Sequence, residues 1–350
     1  MPSPIITLDR VSRTFLVKRQ TIKAVDNLSL TIREGDIICI VGESGCGKTT
    51  TGKMIAGVLT PSAGEILYRG QNISQLRGRA HTEYRLGVQM IHQDPYASLN
   101  PVRTIFDIIA APLRHHKLTR DETHTRKRVR ELLELVDLTP PDDLLDKYPH
   151  QLSGGQRQRV SIARALTVNP SFIVADEAVS MVDVSIRISL LNTLTKLKNA
   201  MGLAVLFITH DLALAQYFAW EGRIGVMYLG KLVEIAPSRD LVAQPQHPYT
   251  QVLLSAIPEA DPEKTRAKKH IALRSMDVPS LLRLPSGCAF HPRCPQFIGA
   301  VCEREVPALL EANGARVACH LVQNSVGAGE QGRAGEFSLA PLLSRPSAQQ

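Results

Sequence analysis

At 350 residues the chain has room for one sizeable core and a smaller appended unit. Its 44% apolar and 21% charged residues are those of a globular protein. No apolar run approaches the roughly 18 residues that span a bilayer, and residues 1–4 lack the basic-then-apolar pattern of a signal peptide, which excludes a membrane-embedded chain and predicts one that stays in the cytoplasm.

The net charge of +8 raises a nucleic-acid partner, and the chain argues against it. The one local concentration, Arg126-Lys127-Arg128 with Arg130, lies where Val129, Leu132, Leu133 and Val136 recur at i, i+3, i+4 and i+7. The basic residues then fall on the solvated face of an amphipathic helix, which Thr119 and Glu122 are spaced to open as a capping box. No aromatic side chains interleave with them as single-strand binding requires.

In chain order, the first ~90 residues read as strands and turns around one helix. Ile37-Ile38-Cys39-Ile40-Val41 is a short apolar run ending at a glycine, as in a buried strand. Directly after it, Gly42-Glu43-Ser44-Gly45-Cys46-Gly47-Lys48-Thr49 fits G-x-x-x-x-G-K-[ST], with Thr50 following. The glycines let backbone N–H groups turn toward phosphate oxygens, and the helix that begins near Lys48 adds its positive end. Lys48 is placed to neutralise the β- and γ-phosphates of ATP, and the Thr49 hydroxyl to hold Mg²⁺.

From about 95 to 152 the pattern is helical, with breaks expected at Pro112, Pro140-Pro141 and Pro149. Strand-like runs return at 172–175 and 205–208, separated by a helix over 186–197. The first ends in Asp176-Glu177: Asp176 orients Mg²⁺, and Glu177 is the candidate general base for the attacking water. Before it, Leu152-Ser153-Gly154-Gly155-Gln156-Arg157-Gln158-Arg159 heads a helix whose hydroxyl and free N–H groups suit a γ-phosphate. Beyond about 236 the composition turns to Pro, His and Cys, and after Gln323 to a Gly-, Ala-, Ser- and Pro-rich tail expected to be disordered.

The segment 152–159 resembles the signature motif of ABC transporter ATPases, and its place between the P-loop and Asp176 matches that family's order. The resemblance implies an α/β P-loop NTPase core with an antiparallel β edge, a helical subdomain at about 95–160 and a C-terminal Cys-rich extension. It places an ATPase domain over 1–236, an extension over 237–322 and a tail over 323–350. It further implies that Ser153, Gly154, Gly155 and Gln156 complete the nucleotide site of a second cassette. It assigns Gln93 as the Q-loop residue sensing Mg²⁺ and water, His210 as the switch histidine, Asp183 as the D-loop aspartate and Phe15 as the aromatic stacking on adenine.

Residues 93–101, Val226-Met227-Tyr228-Leu229-Gly230 and His247-Pro248-Tyr249-Thr250 look like oligopeptide and dipeptide importers. That branch implies two transmembrane permease subunits, a second ATPase subunit, an extracytoplasmic substrate-binding protein and a peripheral place on the cytoplasmic face of the membrane. Ala178-Val179-Ser180-Met181-Val182 departs from the family's P-T-S-A-L, while the acid and base remain. A soluble non-transport ABC ATPase and a regulatory nucleotide-binding subunit with little hydrolysis stand as the alternatives.

Cys288, Cys294, Cys302 and Cys319 form C-x5-C-x7-C-x16-C, with His291 and His320 nearby. The spacing is not that of a paired C-x2-C zinc ribbon. It is similar to the cysteine box of peptide-importer ATPases, which implies a [4Fe–4S] cluster; Zn²⁺ or unlinked buried thiols are the other readings.

Overall fold

The computed structural model describes residues 2–17, 19–257 and 271–327. In chain order, β1 (Pro4–Val17) and β2 (Gln20–Arg33) precede β3 (Ile37–Val41) and α1 (Lys48–Ile55). β4 (Ala63–Tyr68), β5 (Gln71–Asn72), α2 (Gly78–Gly87) and β6 (Val88–Ile91) follow. Then come α3 (Pro95–Ser98), α4 (Ile105–His115), α5 (Glu122–Leu135), α6 (Asp142–Leu145) and α7 (Gly154–Leu166). β7 (Phe172–Asp176), α8 (Val184–Met201) and β8 (Ala204–Ile208) complete the first compact unit, which comprises the chain up to Val11, Ser29–Ile37 and Thr49–Ile208.

Three parallel strands in the order β8-β7-β6 carry that unit, with Val88 paired to Phe172 and Asp176 to Ile208. Every residue of β7 and β8 is buried, which is why both read as continuous apolar runs rather than as alternation. A second sheet has the order β2-β1-β4-β5.

The helices of this unit follow their caps. Thr104 opens α4 by accepting the Asp107 N–H at 3.1 Å. Pro112 does not break this helix but sits inside it. Proline there costs about 3 kcal/mol in an isolated helix, and burial of Ile105, Ile108, Ile109 and Leu113 outweighs the lost bond. α5 buries Val129, Leu132 and Leu133 as the periodicity predicts, but its N-cap is Asp121, which accepts the His124 N–H at 2.8 Å. The Thr119 hydroxyl pairs instead with that of Thr125 at 2.7 Å.

The second unit comprises Ser12–Leu28, Ile38–Lys48 and the chain from Thr209 onward. It holds α9 (Leu212–Phe218), β9 (Arg223–Tyr228), β10 (Lys231–Pro237), α10 (Ser238–Ala243) and α11 (Pro248–Ser255). After them come α12 (Ala300–Arg304), β11 (Leu310–Ala312), β12 (Ala315–Val317) and α13 (His320–Gly327). Its strands run β11-β12-β10-β9-β3, with β3 parallel to β9 and the others antiparallel. Residues from beyond position 300 thus extend the strand ladder that starts at β3. α13 carries helix past Gln323, where a disordered tail was expected, and the rest of that tail, 328–350, lies outside the described residues. No helix among the described residues is long and apolar enough to cross a membrane.

Candidate functional site

In the second unit β3 delivers the P-loop. Its first glycine is required sterically, because a Cβ on Gly42 would lie 2.1 Å from the Met227 carbonyl oxygen. Gly47, at φ 103°, would meet the Ala24 carbonyl at 2.3 Å. Ser44 and Gly45 form the exposed tip, and Cys46 is buried beneath it. Burial pushes the Cys46 thiol up, so it stands as a packing group and not a nucleophile. The Lys48 ammonium is buried and donates to the carbonyl oxygens of Gly42 at 2.7 Å and Glu43 at 2.9 Å. A lysine enclosed by its own loop carries its charge where a polyphosphate would be cradled.

The first unit resumes at the next residue. The Thr49 hydroxyl donates to Asp176 Oδ1 at 2.9 Å, joining the start of α1 to the end of β7. Asp176 is 3% exposed. A hydroxyl and a carboxylate oxygen side by side are the hard donors that Mg²⁺ selects, so these residues fit that ion. One residue on, Glu177 adopts φ 46°, a left-handed conformation uncommon for a side chain of this size. Its N–H donates to the Ile208 carbonyl at 2.9 Å, and its Oε2 accepts from Gln93 Nε2 at 2.8 Å. Gln93, Asp176 and Glu177 are therefore gathered at the carboxyl ends of neighbouring parallel strands, β6 and β7. Thr50 lies half-buried in α1.

Ser153 caps α7 reciprocally with Gln156. The serine hydroxyl accepts the Gln156 N–H at 3.2 Å, and the Gln156 carboxamide oxygen accepts the Ser153 N–H at 3.0 Å. Gly155 packs against α8, where an added Cβ would come within 2.9 Å of Ile186 Cγ2. Asp183 occupies the N-cap position of α8 without a side-chain capping bond. In the second unit, Phe15 is half-buried with the Arg13 guanidinium 4.8 Å from its ring centroid, and His210 is exposed after β8.

Cys288, Cys294, Cys302 and Cys319 do converge, lining a cavity of about 10 Å³ with Phe290, His291 and His320. Burial, reinforced by the neighbouring thiols, pushes Cys288 up to about 11 and Cys294 up to about 12. His291 Nδ1 is 2.9 Å from the Cys288 carbonyl and His320 Nε2 is 2.9 Å from that of Glu305. Among the described residues no group of three or more His, Cys, Asp or Glu is disposed to hold a metal ion. The space between them as it stands holds no four-iron cluster, and the expected [4Fe–4S] or Zn²⁺ finds no support among the described residues; Cys294, Cys302 and Cys319 are buried and Cys288 half-buried.

Two residues at the P-loop were not singled out from the sequence as site residues. Tyr249 accepts the Glu43 N–H at 3.0 Å, and Arg293 holds the Glu43 carboxylate. Both lie more than 200 positions away, and no local spacing announces them.

Residues 25–180 match the family model described as ABC transporter, and residues 233–302 match the one described as oligopeptide/dipeptide transporter, C-terminal region. The putative oligopeptide transport ATP-binding protein YkfD of Bacillus subtilis is 45% identical over 309 residues, 88% of this chain and 92% of that protein. The oligopeptide transport ATP-binding protein OppF of the same organism is 46% identical over 82% of this chain and 92% of its own length. Among solved structures, the dimeric post-hydrolysis state of the ATP-binding cassette MJ0796 with ADP and Pi superposes at a TM-score of 0.61. It shares 30% identity and covers 67% of this chain and 99% of that one. Identity sustained over nearly the whole length, on a cassette fold, shows that the chain belongs to the ATP-binding, ATP-hydrolysing subunits of ABC transporters.

Proposed function

We propose that the chain powers import of oligopeptides or dipeptides by closing with a second cassette around ATP and passing that motion to two membrane permease subunits. The observation that carries the nucleotide chemistry is the Thr49–Asp176 pair, two hard oxygen donors at the P-loop's last residue. Lys48 neutralises the terminal phosphates, and Phe15 stacks on adenine. Mg²⁺, when bound by Thr49, Asp176 and Gln93, supplies charge neutralisation at the β- and γ-phosphates. Glu177 accepts a proton from the attacking water, its carboxylate oriented by Gln93. His210 contacts the γ-phosphate, Asp183 lines the cassette interface, and Ser153 to Gln156 of one copy cover the nucleotide of the other.

The peptide class is supported by the names of the relatives and by the match over 233–302. Docking to permeases at the cytoplasmic face is supported by a cavity of about 500 Å³ beside the Q-loop. Arg85, Gln89, His92, His116 and Arg164 line it with basic and hydrogen-bonding groups. An extracytoplasmic binding protein would deliver the substrate. The thiols of the cysteine box, three buried and Cys288 half-buried, help fill the core of the extension.

Gentle solubilisation of membranes from cells carrying the tagged chain tests the proposal. Recovery of two multi-span subunits, with or without a second ATPase, is expected. Recovery of soluble proteins or nucleic acid alone would overturn the transport role and leave the ATPase standing.

A further inference from the structure

Glu43, the second residue of the P-loop, is held by all three of its functional groups. Its carbonyl accepts from Lys48 at 2.9 Å, its N–H donates to the Tyr249 hydroxyl at 3.0 Å, and its carboxylate meets Arg293 Nη1 at 2.9 and 3.0 Å. Tyr249 comes from α11, and Arg293 lies between Cys288 and Cys294 of the cysteine box. The Arg293 side chain is only 7% exposed.

These two residues belong to an aromatic block. Tyr228, Tyr249 and Phe290 meet tilted or edge-on with ring centroids 4.7 to 5.2 Å apart, and Arg293 Nη1 also reaches the Tyr228 hydroxyl at 3.4 Å. The Arg293 N–H donates to the Phe290 carbonyl at 3.0 Å, so the arginine is fixed to the same aromatic block. A buried guanidinium on a carboxylate is worth keeping only where the geometry is held; here Nη1 meets both carboxylate oxygens, while Nε is buried with no hydrogen-bond partner among the described residues. Glu43 is half-buried beside the exposed Ser44 and Gly45.

We propose that Arg293 and Tyr249 are positioning residues of the nucleotide site, through which the folded C-terminal extension sets the affinity of the P-loop for ATP. The inference rests on the reading of that loop as the ATP site. Anchoring Glu43 fixes the loop backbone that presents N–H groups to phosphate and the carbonyls that hold Lys48. Releasing it makes ordering of the loop part of the cost of binding. An effect on the ground-state cradle raises KM and leaves kcat nearly unchanged.

The test uses the full chain and a fluorescent ATP analogue with Mg²⁺, alongside steady-state hydrolysis. Arg293→Met and Glu43→Gln are each expected to weaken nucleotide binding about tenfold, with kcat at saturation within about twofold. The double variant is expected to be no worse than either single one, because each change breaks the same pair. Arg293→Lys is expected to recover binding to within about threefold of the wild type. Tyr249→Phe, which removes one hydroxyl and keeps the aromatic block, is expected to weaken binding about threefold and reports even if Arg293→Met does not fold. Unchanged nucleotide affinity in the folded variants, or additive losses in the double, would overturn the proposal. Failure of the wild-type chain to bind the analogue would instead overturn the reading of the loop itself, and the inference with it.

Discussion

Glu177 shows how much the site asks of one residue. Holding a glutamate at φ 46° costs about 1–3 kcal/mol, which its bonds to Ile208 and Gln93 offset. Strain is tolerated there because the carboxylate must leave the strand end at one angle. Glu177→Gln is expected to lower kcat by at least about 100-fold while ATP binding is kept, read by phosphate release against equilibrium binding. Near-normal turnover in that variant would remove Glu177 from the role of base. Gly42 makes a second demand: Gly42→Ala drives a methyl into the Met227 carbonyl, and loss of detectable nucleotide binding is the expected outcome. Lys48, Thr49, Asp176 and Glu177 were legible in the sequence because each sits within a few positions of a glycine run or an apolar strand. Arg293 was not, because its partner lies 250 positions earlier and its neighbours are the cysteines that drew attention to themselves.

At the scale of the element, the seat of α7 on α8 is close. Gly155→Ala is expected to destabilise the protein by about 1–3 kcal/mol, since the new methyl meets Ile186, and Ile186→Ala in the same chain should recover most of it. Chemical denaturation of the three variants decides this. The start of α11 predicts a pH response. His247, fully buried, accepts the Tyr249 N–H at 3.0 Å on Nδ1, and burial pushes its pKa down to about 3. The unfolded chain then binds more protons than the folded one between about pH 6.5 and 3. His247 stability is complete above that window and is lost as pH falls through it, by at most about 1.4 kcal/mol per pH unit. Glu234, which accepts the Gln246 and His247 N–H groups, has its pKa raised by burial and acts with the opposite sign. The slope that disappears in His247→Asn is therefore the quantity to measure. Elements also show where local patterns mislead. Thr119-x-x-Glu122 has the spacing of a capping box, yet Asp121 sits one turn position closer and takes the cap. Pro112 reads as a stop only if tertiary burial is ignored.

For the whole molecule, β3, β7 and β8 were legible because they are buried apolar runs, while the parallel strands β6, with Gln89 and Met90 half-buried, and β9 were not. The two strands added from the extension were not: each has three residues, and Leu310 is exposed. Pairing of β12 with β10, through Glu234 opposite Val317, and of β11 with β12 is what makes them strands. The proposed closure of two cassettes around ATP makes an assembly that can be measured. Glu177→Gln with ATP and Mg²⁺ is expected to elute at twice the mass of the nucleotide-free chain, and Lys48→Ala to remain at single mass. A single-mass Glu177→Gln peak with nucleotide bound would remove the sandwich from the mechanism.

The Lys48 contacts give the loop a character of its own. With its ammonium already out of water and shared between two carbonyls, the loop is its own competitor: an incoming phosphate displaces peptide oxygens more than it displaces solvent. Affinity is then the difference between two sets of short polar contacts of similar kind. Added salt, which screens exposed charges, should shift it far less than it shifts binding at an open basic surface.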